Sequence, residues 1–283
     1  MKKSLATKIL LIATALLVTI VILMPIILVF PSMFKDEFEI WRYPWTFFPK
    51  NWTNIGFRWV FNIQLTTLGV SFIQCLFTTI LISVVAVVLS LSINILAAFA
   101  FARLRFPFKT GFFIIMITTM FIPGITILLT SIRVVYILGI FNTVFCLIIP
   151  GLASAYNVFF FRQFFLGFPK DIDDSAKLDG CSSFRTLWHI YLPMSKTPAI
   201  IIGASVFIGY YNSYIWPSLT ILADNKGLYQ LMQVIRKLFE MSSQIGYGSV
   251  LAGTSLALIP PLLVFILIQR QIKDGIALTG TKG

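Results

Sequence analysis

Residues 171 to 193 read DIDDSAKLDGCSSFRTLWHIYLP, a stretch that holds four of the chain's ten acidic residues, a lysine, a cysteine and the one histidine, His189. Clustered carboxylates beside a histidine could do proton transfer or hold a metal. Neither pattern is complete. His189 has no second histidine or cysteine at ligand spacing, and no HExxH sequence surrounds it. Cys75, Cys146 and Cys181 are odd in number and far apart, which supports no disulfide framework and no CxxC site. No nucleophile with a base and no glycine-rich phosphate loop stands out. No catalytic residue, no metal ligand and no cofactor bound by this chain is expected. The remaining chemistry is recognition through charge.

That stretch carries helix signals. Pro169 can open a helix, Asp171, Asp173 and Asp174 suit its first turn through the helix dipole, and Gly180 supplies a stop. A helix of about ten residues follows, with Ile172, Ala176 and Asp179 on one face and Ser175 and Leu178 on the neighbouring strip. Small residues at 175 and 176 would let another surface come close. Phe184, Leu187, Trp188 and Tyr191 then recur at helical spacing, and Pro193 is expected to end this second, amphipathic segment.

The elements around it are built for hydrocarbon. Of 283 residues, 58% are hydrophobic and 11% charged, and mean hydropathy is +0.92, which excludes a water-soluble fold. The net charge of +12 is spread between apolar runs rather than gathered on one face, so nucleic acid is not a partner. Six windows meet the length of a bilayer span: 9–30, 77–102, 111–132, 143–165, 198–219 and 248–269. Residues 59 to 102 are nearly continuous in apolar character but would reach about 65 Å as one helix. The first part, with Arg58, Trp59, Asn62, Gln64 and two threonines, is therefore assigned to an interfacial helix.

With the N-terminus inside, fourteen of the 22 Lys and Arg fall on the inner side and eight on the outer, while the acids divide evenly. The positive-inside rule selects this orientation, with both termini cytoplasmic. Residues 166–197 then form the largest inner loop, between the fourth and fifth spans. The outer loop 31–63 holds Trp41, Tyr43, Trp45, Trp52 and Trp59, which suits an interfacial belt in contact with lipid or a docking surface for an outside partner. The chain reads as one membrane domain.

The spacing Asp174-Ser175-Ala176, three residues, Gly180, nine residues, Ile190, one residue, Leu192-Pro193 resembles the EAA loop of binding-protein-dependent ABC importer permeases. Every interval agrees. Asp174 stands where that family has Glu, Ser175 where it has Ala, and Cys181 where Ala is frequent. LAAFAFARLRFPFK at 96 to 109, GYYNSYIWPSL at 209 to 219 and the ending from LIPP onward are similar to the carbohydrate-uptake branch.

The resemblance implies an all-α membrane protein of type I importer permease fold, with six transmembrane helices and a cytoplasmic coupling helix between the fourth and fifth. It implies a second homologous permease, two ATPases that use ATP and Mg, and an extracytoplasmic binding protein. Asp174, Ser175, Ala176, Asp179, Gly180, Ile190, Leu192 and Pro193 would form the ATPase-coupling set. A sugar or oligosaccharide is the expected cargo, glycerol-3-phosphate or a glycerophosphodiester the alternative. A secondary carrier without an ATPase is the remaining option, and the spans lack the mid-membrane charges it would normally use.

Polar and aromatic residues inside the spans are candidates for the substrate path: Asn94, Tyr156, Asn157, Tyr210, Tyr211, Asn212, Tyr214 and Trp216. They could equally join helices to one another. Pro123-Gly124 and Pro217 could act as hinges or as plain kinks.

Overall fold

The computed structural model describes the backbone of residues 5–63 and 69–280, and the side chains in these ranges other than 5, 6, 63 and 274–280. Gln64, Thr66 and Thr67 of the expected interfacial helix, and Lys2, Lys3 and Lys282 of the charge count, lie outside the described residues. Among the described residues every regular element is helical.

Three helices are long and apolar enough to cross a membrane: Thr7–Ser32, Phe72–Arg103 and Tyr247–Lys273. Their polar residues are largely threonines and serines that return a hydroxyl to the carbonyl four residues back, as Thr14 does to Leu10 at 2.9 Å and Thr19 to Ala15 at 2.8 Å. Such bonds keep a polar side chain satisfied in hydrocarbon. The Phe72–Arg103 helix begins before the expected Phe77 and is about 48 Å long at 1.5 Å per residue.

The other three windows are broken. Lys109–Phe121 and Gly124–Ile137 meet at 109°, and Val144–Gly151 and Ala155–Leu166 at 45°. Pro123 causes the first break: it has no N–H to give, and Ile122 before it is driven to an extended ψ of 118°. Lys196–Tyr211 stops at Asn212, and a short helix Ile215–Thr220 follows. Pro217, which the sequence offers as a hinge or a plain kink, lies just after this break. It is the third residue of that helix, where its missing N–H has no intrahelical acceptor to lose. The third bent pair is Ser183–Met194 with Lys196–Tyr211, at 81°, and with each pair counted as one the helices that could cross number up to six.

The chain clusters into two units, residues 1–72 with 234–259, and residues 73–233 with 260–283. In the first, the apolar window of the N-terminal helix has none of its residues buried among the described residues, and its composition suits lipid. Gly56 packs on Gly248 so closely that a Cβ would lie 2.5 Å from the Gly248 carbonyl oxygen. Glu37 ties the loop after the first helix to the last helix, accepting from the Tyr247 N–H at 2.6 Å and from Trp41 Nε1 at 2.9 Å. Glu39, also buried, accepts from the Lys50 N–H at 2.7 Å and from Thr46 at 3.0 Å.

In the second unit Ile95, Ala98 and Phe99 of the Phe72–Arg103 helix pack against Val158, Phe161 and Phe165, against Leu187 and Tyr191, and against Ile202. Asn94 sits beside this core at 0% exposure. Its amide nitrogen donates to Ser90 and, at 2.8 Å, to the Leu152 carbonyl, and its oxygen accepts the Ser154 N–H at 2.9 Å. Those last two groups belong to the break between Gly151 and Ala155, where the helical ladder is interrupted. Asn94 therefore clamps a broken helix. Asn94→Ala leaves the Ser154 N–H unpaired and the Leu152 carbonyl with the Ser90 hydroxyl alone, at 2.8 Å, and is expected to cost about 1–3 kcal/mol, read as a lower unfolding temperature of the purified chain.

Candidate functional site: a charged loop and an uncharged cavity

The acidic stretch folds as the helix Asp171–Leu178. It ends in a paired cap: the Cys181 N–H donates to Ala176 O at 2.8 Å and the Gly180 N–H to Lys177 O at 3.0 Å, with Gly180 at φ +70°. The next segment runs Ser183–Met194, capped by Ser182, whose hydroxyl accepts the Arg185 N–H at 3.4 Å. Asp179 is thus the exposed end of the first helix and not the cap of the second. Pro193 does not end the second segment either. A π turn over Leu187–Tyr191, closed by the Leu192 N–H on Leu187 O, precedes it, and the helix continues to Met194 before Ser195 breaks it.

Helix geometry sorts the predicted residues into two faces. Ala176 is 4% exposed and turned into the chain, with Ile172 and Asp173 one turn before it. Ile190 and Leu192 are packed on the core of the second unit. Within the chain Ala176 is buried, and Ile190 and Leu192 are half-buried. Asp174, Ser175, Asp179, Gly180 and Pro193 remain exposed. Leu178, at 89% exposure, shares the outward side of its helix with Asp174 and Ser175, and Phe184 and Trp188 expose 65% and 58% while stacked at 6.4 Å and 14°. An exposed aromatic pair, an exposed leucine and solvent-facing carboxylates thus share one short loop.

The group that sequence reasoning missed is Asp173. It pairs with Arg103 Nη1 at 3.0 Å and accepts from the Tyr191 hydroxyl at 2.8 Å. Arg103 also donates to the Phe168 carbonyl at 2.8 Å and lies 5.3 Å from the Tyr191 ring centroid. One buried node therefore joins the acidic helix, the segment after it and the end of the Phe72–Arg103 helix. The signal was present: Asp173 lies three residues before the inward-facing Ala176, whereas Asp174 is rotated off that face and pairs with Lys177 at 3.1 Å in solvent.

Away from this loop lies a cavity of about 540 Å³, of the size that takes a small ligand. Of the candidates, Tyr156, Asn157, Tyr210 and Trp216 line it; Asn94 and Tyr211 do not. Tyr211 is fully buried and stacked on Phe207 at 5.6 Å. Asn212 and Tyr214 line an adjoining cleft of about 400 Å³ that shares Ser213 and Trp216 with the first. Ser131, Ser154, Ser205, Ser213 and Gln230 add hydroxyls and an amide that the sequence did not single out, and among the described residues no charged side chain lines the cavity. The breaks at Pro123 and Asn212 place Gly124 and Ser213 on the wall. A helix interruption, not a polar residue as such, is the mark of this site.

The two large rings are fixed by their polar ends. Tyr210 donates its hydroxyl to Ile148 O at 2.7 Å, and Trp216 donates Nε1 to Cys146 O at 3.0 Å. Gly151 makes room for the first bond, since a Cβ there would sit 2.5 Å from the Tyr210 hydroxyl. Gly151→Ala is expected to push the ring into the cavity, to destabilise by about 1–3 kcal/mol and to slow uptake, read by thermal unfolding and by transport into vesicles.

Residues 91–277 match the family of binding-protein-dependent transport system inner membrane components. The chain belongs to that family. This importer permease is similar to the sn-glycerol-3-phosphate transport system permease protein UgpE of Yersinia enterocolitica, at 28% identity over 91% of both chains. It is 32% identical to UgpE of Agrobacterium fabrum over 75% of this chain and 74% of that one. In structure it is similar to a chain from a bacterial ABC transporter involved in the import of the acidic polysaccharide alginate. The TM-score is 0.76 at 22% identity, covering 95% and 98% of the two chains. The fold is that of an ABC importer permease, all-α and multi-pass in the inner membrane. The chain is a transport subunit, and the secondary-carrier alternative falls with the family match.

Proposed function

We propose that this permease forms one half of a translocation path for a sugar or oligosaccharide, with residues 166–197 as the loop through which ATP hydrolysis moves it. The observation that carries the cargo class is the uncharged cavity of aromatic rings, hydroxyls and amides. Ring faces stack on sugar C–H surfaces, and hydroxyls and amides exchange hydrogen bonds with sugar hydroxyls. A second permease would supply the other half. Two ATPases would hold ATP and Mg and seat the exposed Asp174, Ser175, Leu178 and Trp188, and an extracytoplasmic binding protein would deliver the cargo. Both termini and the loop would face the cytoplasm, as the excess of Lys and Arg on that side supports.

A glycerophosphate cargo is the second reading, favoured by the names of the relatives. A dianionic phosphate held by this subunit calls for a cation, and none lines this cavity. Reconstitution with the cognate ATPase, partner permease and receptor decides between them. ATP-dependent uptake of labelled sugars without uptake of glycerol-3-phosphate supports the first reading; the reverse result removes it.

A further inference from the structure

At the junction of the charged loop and the membrane helices lies a second cavity, of about 340 Å³, with the opposite character. Five cations line it, Arg103, Arg105, Lys109, Lys170 and Lys177, against two carboxylates, Asp173 and Asp174, which leaves a local net charge of +3. The carboxylates are already taken, by Arg103 at 3.0 Å and Lys177 at 3.1 Å. Arg105, Lys109 and Lys170 have no carboxylate within ion-pair distance among the described residues. Lys109 reaches only backbone, donating to Leu104 O at 2.8 Å. Arg103, its side chain 8% exposed, keeps a buried Nε–H with no partner among the described residues. A buried, unpartnered donor in a cationic cavity calls for an anion.

We propose that this cavity binds a phosphate-bearing anion and that the phosphodiester headgroup of an anionic phospholipid is its occupant. The surroundings favour lipid. Phe99, Ala102 and Leu104 form an apolar wall. Arg103 is the last residue of one long apolar helix and Lys109 the first of the next, so the cavity sits where apolar helix ends and water begins. Phe108 in the intervening turn is 82% exposed, a ring placed to enter the acyl boundary. Basic cavities between helices at this depth select anionic headgroups. Because Arg103 and Lys177 serve both the cavity and the aspartates of the loop, an occupied site and the loop share their cations.

Native mass spectrometry of the full chain in detergent tests this, with dioleoyl phosphatidylglycerol and dioleoyl phosphatidylcholine as probes. The variants are the double change Arg105→Ala with Lys170→Ala, at two exposed positions, and the charge-keeping Arg105→Lys with Lys170→Arg. Expected is preferential retention of the glycerol lipid, weakened roughly thirtyfold in the alanine variant and kept in the charge-keeping one. If inorganic phosphate alone raises the unfolding temperature, of the parent chain and not of the alanine variant, the anion site stands with a soluble occupant. Equal retention of both lipids by all three proteins, with no response to phosphate, overturns the proposal.

Discussion

Arg103→Ala is expected to cost about 3–5 kcal/mol of stability and to uncouple ATP hydrolysis from uptake. The side chain is 8% exposed and its partner Asp173 19%, so deletion leaves a largely buried carboxylate whose remaining donor is the Tyr191 hydroxyl. The Phe168 carbonyl loses its donor as well. Arg103→Lys separates charge from geometry: a single ammonium cannot reproduce a guanidinium that reaches the carboxylate and the backbone at once. It should fall between the parent and the alanine variant. Thermal unfolding reads the stability, and the ratio of transported cargo to ATP hydrolysed reads the coupling. An Arg103→Ala protein that melts and couples like the parent would remove the node from the mechanism.

Trp188→Ala is expected to do the reverse, leaving stability within about 1 kcal/mol of the parent while weakening retention of the ATPase by roughly thirtyfold or more. The ring is 58% exposed and rests on Phe184, which is itself 65% exposed, so little of the fold depends on it. Aromatic anchors of this kind carry a large share of interface energy. Gly180→Pro is a companion test. Proline holds φ near −65°, whereas Gly180 sits at +70° and uses its N–H to close the cap on Lys177, so the outward face would lose its orientation. Co-purification of the ATPase in detergent is the measurement. Full retention by both variants would place docking elsewhere.

The helices were legible in the sequence because a bilayer imposes a length and a composition, and the loop because capping residues and spacing mark it. The inward and outward faces of the loop were less so. Ala176, Ile190 and Leu192 belong to the family pattern, yet Ala176 is buried and the other two are half-buried against the core of their own chain. Spacing alone does not distinguish a residue that touches a partner from one that holds the loop in place. Asn94 and Tyr211 show the same limit inside the membrane, where a polar side chain satisfies a broken backbone or packs in a core as readily as it lines a path. Pro217, a hinge or a plain kink by its sequence, takes the first turn of a short helix, where a proline fits without breaking the ladder.

The rings of Tyr210 and Trp216 spend their polar hydrogens on the backbone of their own subunit. Under the proposed function, a passing molecule would meet the flat faces of these two rings and find its hydrogen bonds only at the hydroxyls and amides beside them. The rings would then act as a low-friction wall that accepts successive poses of similar energy. Affinity would belong to the protein that delivers the cargo, and speed to the subunit that lets it through.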